Sequence, residues 1–272
     1  MKNSAIAIIP ARYGSTRLPG KPLMDINGKP MIIRVWEIVS RVLPTYVATD
    51  DQRIFDVVHK AGGDAIMTSS ASENGTARVH EALLKLKIRP EIILNIQGDE
   101  PLVSDHDINV LLLLMKRESV KIGTLVTSIS QEDLISGNNC FVDRSPDGMC
   151  QEFSRTTANF SFKKYRHIGM YGFNASILSK LVLLKRTDGE KRERLEQLRW
   201  KENGYEIHSS IVPEGGVGVD TLEDLKSIRK GFRRGEHLTE EKESGGVWDY
   251  ICLLYTSDAA DDLLCVDLGG RR

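Results

Sequence analysis

Short continuous apolar runs alternate with amphipathic stretches along the first half of the chain. Residues 5–9 read Ala-Ile-Ala-Ile-Ile, and 46–48, 65–67 and 92–94 are of the same kind. Runs without polar alternation predict strands buried on both faces, as in a parallel sheet. Between them the apolar spacing turns helical. Pro30 opens a helix over 30–42 that carries Ile32, Ile33, Val35, Trp36 and Val39. A second helix spans 51–61 and stops at Gly62-Gly63, and a third spans 76–86. Ser104 with Asp107 three residues on marks another start, ahead of the apolar run 110–115. Strand–helix alternation predicts right-handed βαβ units.

The second half changes character. Strands are predicted over 123–129, 167–173 and 205–212, and helices over 175–185, 190–203 and 221–233. Asp143-Arg144-Ser145-Pro146-Asp147-Gly148 reads as a turn between two short antiparallel strands. The expected fold class is therefore α/β: a mostly parallel sheet flanked by helices, with a small antiparallel insertion covering the site. The pattern dissolves from about Gly235. The closing segment from Cys252 resembles translated sequencing-adapter read-through. The expectation is one domain over 1–236 and a tail over 237–272 outside it, with a disordered or helical appendage as the other reading of the tail.

Composition narrows the function classes. The 272 residues carry 37 basic and 38 acidic side chains, a formal net charge of −1. That balance offers no general attraction to nucleic acid or to an anionic membrane. No apolar run is long enough to span a bilayer, and the N-terminus does not read as a signal peptide. Cys140, Cys150, Cys252 and Cys265 form no CxxC pair, which predicts free thiols in the cytoplasm.

The loop after the first strand holds the densest chemistry. It carries Arg12, Arg17 and Lys21 beside Gly14 and Gly20, with Pro19 and Pro22 stiffening it. Such a loop opens at the carboxyl ends of the strands, where α/β sheets bind ligands. Three cations suit a triphosphate, and glycines let backbone N–H groups approach phosphate oxygens. It is not a P-loop, because five residues separate Gly14 from Gly20 and Pro22 follows Lys21. Asp99 follows the run 92–94 and Asp220 precedes a helix, so both carboxylates can reach the same edge. Two carboxylates plus substrate phosphates suit magnesium. A turn residue (Asp99) and a helix-cap region (Asp220) are the alternatives.

Together these motifs resemble the 3-deoxy-D-manno-octulosonate (Kdo) cytidylyltransferase family. The likeness runs through PARYGSTRLPGKPL, INGKPMI, VATDD, AGGDAIMTS, NGTAR, NIQGDEPL, EFSRT, HIGMYGF, LEQLRW and GVDTLEDL, over roughly residues 4 to 233. It implies a Rossmann-like fold of the nucleotide-diphospho-sugar transferase type. It also implies transfer of CMP from CTP to the anomeric hydroxyl of Kdo, with magnesium on Asp99 and Asp220. Arg12, Lys21 and Asp99 are implied as catalytic. Ala11, Gly14, Ser15, Gln97 and Tyr171 are implied as substrate-binding, with Gly75, Thr76 and Arg78 on the nucleotide. Arg155, His167, Glu196 and Gln197 are implied on the acid-sugar side. Thr76 can also be read as a helix cap, Glu196 and Gln197 as a solvated helix face, and His167 as a packed or hydrogen-bonded strand residue. A homodimer and a role in lipopolysaccharide supply are implied in the same way.

The chain departs from the family pattern in places. Asn139-Cys140-Phe141-Val142 stands where a Val-Lys-Val-like strand is usual. Thr157-Ala158-Asn159-Phe160 replaces a small residue followed by Ile-Pro, and the connection to His167 is short. Glu190-Lys191-Arg192 is more polar than usual there. Another acid sugar, such as an amino-modified Kdo, and a non-catalytic nucleotide-binding paralogue stay open on this pattern.

Overall fold

The computed structural model describes residues 5–14, 17–135, 139–157, 160–213, 215–216 and 218–234. The tail expected over 237–272, with Cys252 and Cys265, lies outside the described residues. The chain divides into two compact units, Met1–Lys230 and Gly231–Arg272; of the second, only the last turn of the final helix is described.

The first unit opens with β1 (Ala5–Ala11), a 3-10 turn (Lys21–Leu23), the short hairpin β2 (Asp25–Ile26) and β3 (Lys29–Pro30), and α1 (Met31–Val42). There follow β4 (Thr45–Thr49), α2 (Gln52–Lys60), β5 (Asp64–Met67), α3 (Gly75–Lys85), β6 (Ile92–Asn95) and α4 (Asp105–Met115). The second half holds β7 (Ile122–Thr127), α5 (Gln131–Ile135), β8 (Phe141–Arg144), β9 (Cys150–Ser154) and β10 (Lys163–Asn174). It continues with α6 (Ala175–Leu181), α7 (Asp188–Glu193), α8 (Glu196–Glu202) and β11 (His208–Ile211), and α9 (Leu222–Arg234) is the last described element.

One sheet runs in the order β11-β7-β10-β6-β1-β4-β5. The β6-β1-β4-β5 strands are parallel, and β11 is parallel to β7. β10 lies antiparallel between β6 and β7. Its N-terminal half also pairs with β8, which pairs with β9. The fold class is as expected, and the antiparallel element joins the main sheet through β10. Strand β1 shows why its run is apolar throughout. Ala7, Ile9 and Ala11 face one core cluster with α1, α2 and α4, while Ile6 and Ile8 face the other with α3, α6 and α8.

Two expectations need correction. The helix expected through 185 ends at Leu181. The single helix expected over 190–203 is two, broken at Arg194, which adopts φ 56°. The break sends Leu195 into the core at 5% exposure, and α8 restarts at Glu196. A buried ion pair holds the two pieces: Arg199 Nε and Nη2 donate to Glu190 at 2.8 and 2.6 Å. No helix among the described residues is long and apolar enough to cross a membrane.

Helix α4 sits close to the sheet because two glycines leave room for Met115. Gly123 and Gly172 are paired across β7 and β10. A Cβ on Gly172 would fall 2.4 Å from Met115 Cγ. Gly172→Ala is expected to destabilise the fold by about 1–3 kcal/mol through overpacking. Urea denaturation of this variant, alone and combined with Met115→Ala, checks the cause: the second substitution should recover part of the loss.

Candidate active site

The parallel order changes direction at β1. From β1 the chain moves outward to β4 and β5, then returns to β6 on the other side. Ligands bind at such a switch point, outside the carboxyl ends of the strands. The loops after β1 and β6 both open there.

The β1 loop is held from several sides. Leu18 is buried at 3% exposure, and Gly20 N–H donates to the Tyr13 carbonyl at 2.9 Å. Gly20 takes φ 70°, and a Cβ on it would press on the Tyr13 ring at 3.1 Å, so glycine is required. On the outside the Arg53 guanidinium stacks 3.4 Å from the Tyr13 ring centroid and also grips Asp51. These contacts deliver Lys21, 8% exposed, to the floor of a cavity of about 340 Å³.

Lys21 Nζ donates to Asp99 Oδ2 at 2.5 Å and to Asp220 Oδ1 at 3.2 Å. Arg17 Nη2 lies 3.0 Å from Asp220 Oδ1. The segments carrying the two aspartates are stitched together by Val219 N–H donating to the Asp99 carbonyl at 2.9 Å. Capping of α9 falls to Thr221, not Asp220. Thr221 Oγ1 accepts from Asp224 N–H at 3.1 Å, and Asp224 Oδ2 accepts from Thr221 N–H at 2.8 Å. Asp220 is thereby left free to face the cavity. An ammonium already lies between two hard carboxylate oxygens, a donor set of the kind that suits magnesium. Among the described residues no three His, Cys, Asp or Glu side chains cluster as a self-sufficient metal cage.

Ala11, Arg12, Gly75, Arg78, Gln97, Asp99 and Asp220 join Lys21 on the cavity wall. Gly14 stands in the β1 loop, and Ser15 lies outside the described residues. Arg78 is committed within the protein: it donates to Asp50 Oδ2 at 2.9 Å and to Thr68 Oγ1 at 2.5 Å, at 3% exposure. Helix α3 is capped by Asn74, whose Oδ1 accepts from Ala77 N–H at 2.8 Å, so Thr76 is not the cap. Its hydroxyl instead donates to Glu196 Oε2 at 3.0 Å.

The acid-sugar candidates are only partly gathered. Glu196 lines a neighbouring cavity of about 470 Å³ with Lys185, Arg186 and Arg199. Burial pushes its carboxyl up to about 7. Tyr171 packs edge-on against Trp200, with ring centroids 5.0 Å apart, and burial pushes its phenol well above the usual value. Gln197 Nε2 donates to Cys140 Sγ at 3.3 Å, so the amide faces the Asn139-Cys140 departure. His167 Nε2 pairs with Thr124 Oγ1 at 2.9 Å, and burial, reinforced by the Arg166 and Arg155 charges, holds it down at about 3. It is a neutral imidazole at physiological pH. Arg155 Nε donates to the Glu193 carbonyl at 3.4 Å. The short connection into β10 is pinned by Asp143, which accepts from Ser161 and Phe162 N–H at 2.7 Å each.

Residues 6–208 match the cytidylyltransferase family. The chain belongs to the cytidylyltransferase family. Among its relatives, the 3-deoxy-manno-octulosonate cytidylyltransferase of Parabacteroides distasonis is 40% identical, over 81% of this chain and 95% of that protein. That of Thermodesulfovibrio yellowstonii is 42% identical over 83% and 96%. A solved CMP:2-keto-3-deoxy-manno-octonic acid synthetase, complexed with CTP, superposes with a TM-score of 0.78 at 36% identity, covering 85% of this chain and 99% of that one.

Reasoning from sequence missed Asn95, Asn74 and Arg166 in this cytidylyltransferase family member. Asn95 closes a buried strand at 1% exposure, an unusual place for an amide, and that position was its signal. Arg166 donates to the Gly215 carbonyl at 3.1 Å and so braces the segment ahead of Asp220. Nothing local in the sequence pairs residues so far apart.

Proposed function

We propose that this chain transfers CMP from CTP to the anomeric hydroxyl of Kdo, releasing pyrophosphate. The observation that carries the reading is Lys21, held between Asp99 and Asp220 at the switch point of a cytidylyltransferase fold. The new bond joins the hydroxyl oxygen to the α-phosphorus, the α–β phosphoanhydride bond breaks, and the hydroxyl proton passes to solvent. Lys21, Arg12 and Arg17 balance the charge of the triphosphate and of the departing pyrophosphate. No covalent enzyme intermediate is needed, so the protein contributes alignment and charge neutralisation. Asp99 and Asp220 would hold magnesium, which would supply Lewis acidity when bound. Ionised Glu196 accepts hydrogen bonds from the sugar. The family resemblance further supports a cytoplasmic homodimer that feeds lipopolysaccharide synthesis.

The test is pyrophosphate release from CTP and magnesium with Kdo, with other acid sugars, or with no acceptor. Release with Kdo is expected. Preference for an amino-modified Kdo would move the substrate assignment, and CTP binding without release under any acceptor would overturn catalysis.

A pH dependence follows from Glu196. Its carboxyl is raised to about 7 in the folded protein, so kcat/KM for the sugar should rise through that pH as the carboxylate forms. Glu196→Gln should remove this limb and lower kcat/KM about tenfold or more. Fold stability moves the opposite way. Between the ordinary value of 4.5 and about 7 the unfolded chain has released a proton that the folded one keeps, so stability falls as pH rises. Parallel pH–rate profiles and melts of both proteins check both signs.

A further inference from the structure

A line of hydrogen bonds connects the two cavities. Gln97, on the wall of the nucleotide cavity, donates from Nε2 to Asn95 Oδ1 at 3.0 Å. Asn95 donates from Nδ2 to Thr76 Oγ1 at 3.4 Å, and the Thr76 hydroxyl donates to Glu196 Oε2 at 3.0 Å. Asn95 and Thr76 are 1% and 2% exposed, so water does not compete for these bonds. Every link donates in the same sense, from the nucleotide cavity toward Glu196. Threonine has one proton, and the amide hydrogen of Asn95 on its oxygen leaves that proton for the carboxylate. Bonds arranged head to tail polarise one another. The free end is Gln97 Oε1, an acceptor that would lie 3.3 Å from a Cβ on Gly75, another residue of the cavity wall. A donor group on a bound nucleotide can reach the relay at this end.

We propose that Asn95 and Thr76 are positioning residues that transmit filling of the nucleotide cavity to Glu196, making it a better acceptor for the sugar hydroxyls once the nucleotide is bound. The proposal rests on the Kdo cytidylyltransferase reading above. It predicts that nucleotide binds before sugar. Other groups also act on Glu196: Arg199 from its own helix, Glu190 from α7, Glu73 ahead of α3 and Tyr171 from β10. Lys185 and Arg186 line the same cavity. Against the upward push of burial, the hydrogen bond from Thr76 is the largest of the opposing influences. The relay therefore has leverage on the charge of this carboxylate.

The experiment follows the Glu196 carboxyl carbon by NMR in the full-length protein, with Glu196→Gln assigning its resonance. Titrations are run with and without CTP in the presence of EDTA. CTP is expected to lower the Glu196 midpoint in the unsubstituted protein. Thr76→Val should raise that midpoint by about one pH unit and abolish its response to CTP, and Thr76→Ser should restore both. In turnover, Thr76→Val should raise KM for Kdo about tenfold, with a far smaller change in KM for CTP. Asn95→Asp keeps the shape and removes the donor to Thr76, so it replaces Thr76→Val if that variant does not fold. A Glu196 midpoint indifferent to CTP, or a Thr76→Val profile matching the unsubstituted protein, overturns the relay. Failure to turn over Kdo would instead overturn the substrate reading, while the titrations still decide the relay.

Discussion

Asp99→Asn is expected to lower kcat for CMP transfer by about 10²–10³-fold while leaving the fold intact. The substitution keeps the shape of the side chain. It replaces a charged acceptor with a neutral amide, which can offer the Lys21 ammonium, now 2.5 Å from Oδ2, only an uncharged oxygen. Two consequences should appear together. The triphosphate loses one of the two carboxylates that would share its metal ion, and Lys21 loses the charge of its nearer partner and shifts toward Asp220. Weakened Mn²⁺ binding, measured by paramagnetic resonance with CTP present, separates loss of the metal site from loss of alignment. Full turnover with unchanged Mn²⁺ affinity would remove Asp99 from the proposed site.

Glu190→Ala should cost about 3–5 kcal/mol of stability, because it removes the only hydrogen-bonded carboxylate of the buried Arg199 guanidinium among the described residues and leaves it the unbonded charges of Glu196 and Glu73. Both side chains of the pair are almost wholly enclosed, at 5% and 6% exposure. Arg199 keeps its bond to the Leu184 carbonyl at 3.3 Å, and Asn203 still donates to the Arg199 carbonyl. Urea denaturation measures the loss, and the joint replacement Glu190→Leu with Arg199→Met should recover much of it. The pair also sets an acid limb. Burial pushes the Glu190 carboxyl up, but the hydrogen bonds and charge of Arg199, with Arg186, outweigh that and hold it below its ordinary value. A depressed carboxyl contributes stability at neutral pH that is lost as pH falls through the folded value. The Glu190→Ala variant should therefore show a shallower acid transition. An unchanged one would mean that other carboxylates govern acid unfolding.

The elements that sequence reasoning read well are those whose signal is local. The run 5–9 is apolar because β1 is covered on both faces, and Ser104 caps α4 through its own neighbour Asp107. The elements it read badly depend on distant partners. Nothing near Arg194 announces a left-handed residue, since no glycine stands there. The break is sustained by Leu195 entering the core and by Glu190 meeting Arg199 across it. Strand β10 begins at Lys163, earlier than its apolar pattern suggests, because β8 pairs with its polar first half. The site divides along the same line. Lys21 and its loop were legible from residue types packed into a few positions. The link from Thr76 to Glu196 spans 120 residues, and only the folded sheet brings the two together.

The seat of Met115 bears on inheritance as well as on stability. The long side chain of α4 occupies space that Gly123 and Gly172 vacate on neighbouring strands. None of the three positions is at liberty to drift alone. A lineage that gains a side chain at 172 must shorten residue 115 or let α4 lift from the sheet. Because Gly172 is followed by Phe173 and preceded by Tyr171, a lifted helix would disturb the strand that carries the aromatic wall beside Glu196. Change at this buried contact is thus coupled to the strand that carries Tyr171, and relatives with a side chain at 172 are expected to carry a shorter one at 115.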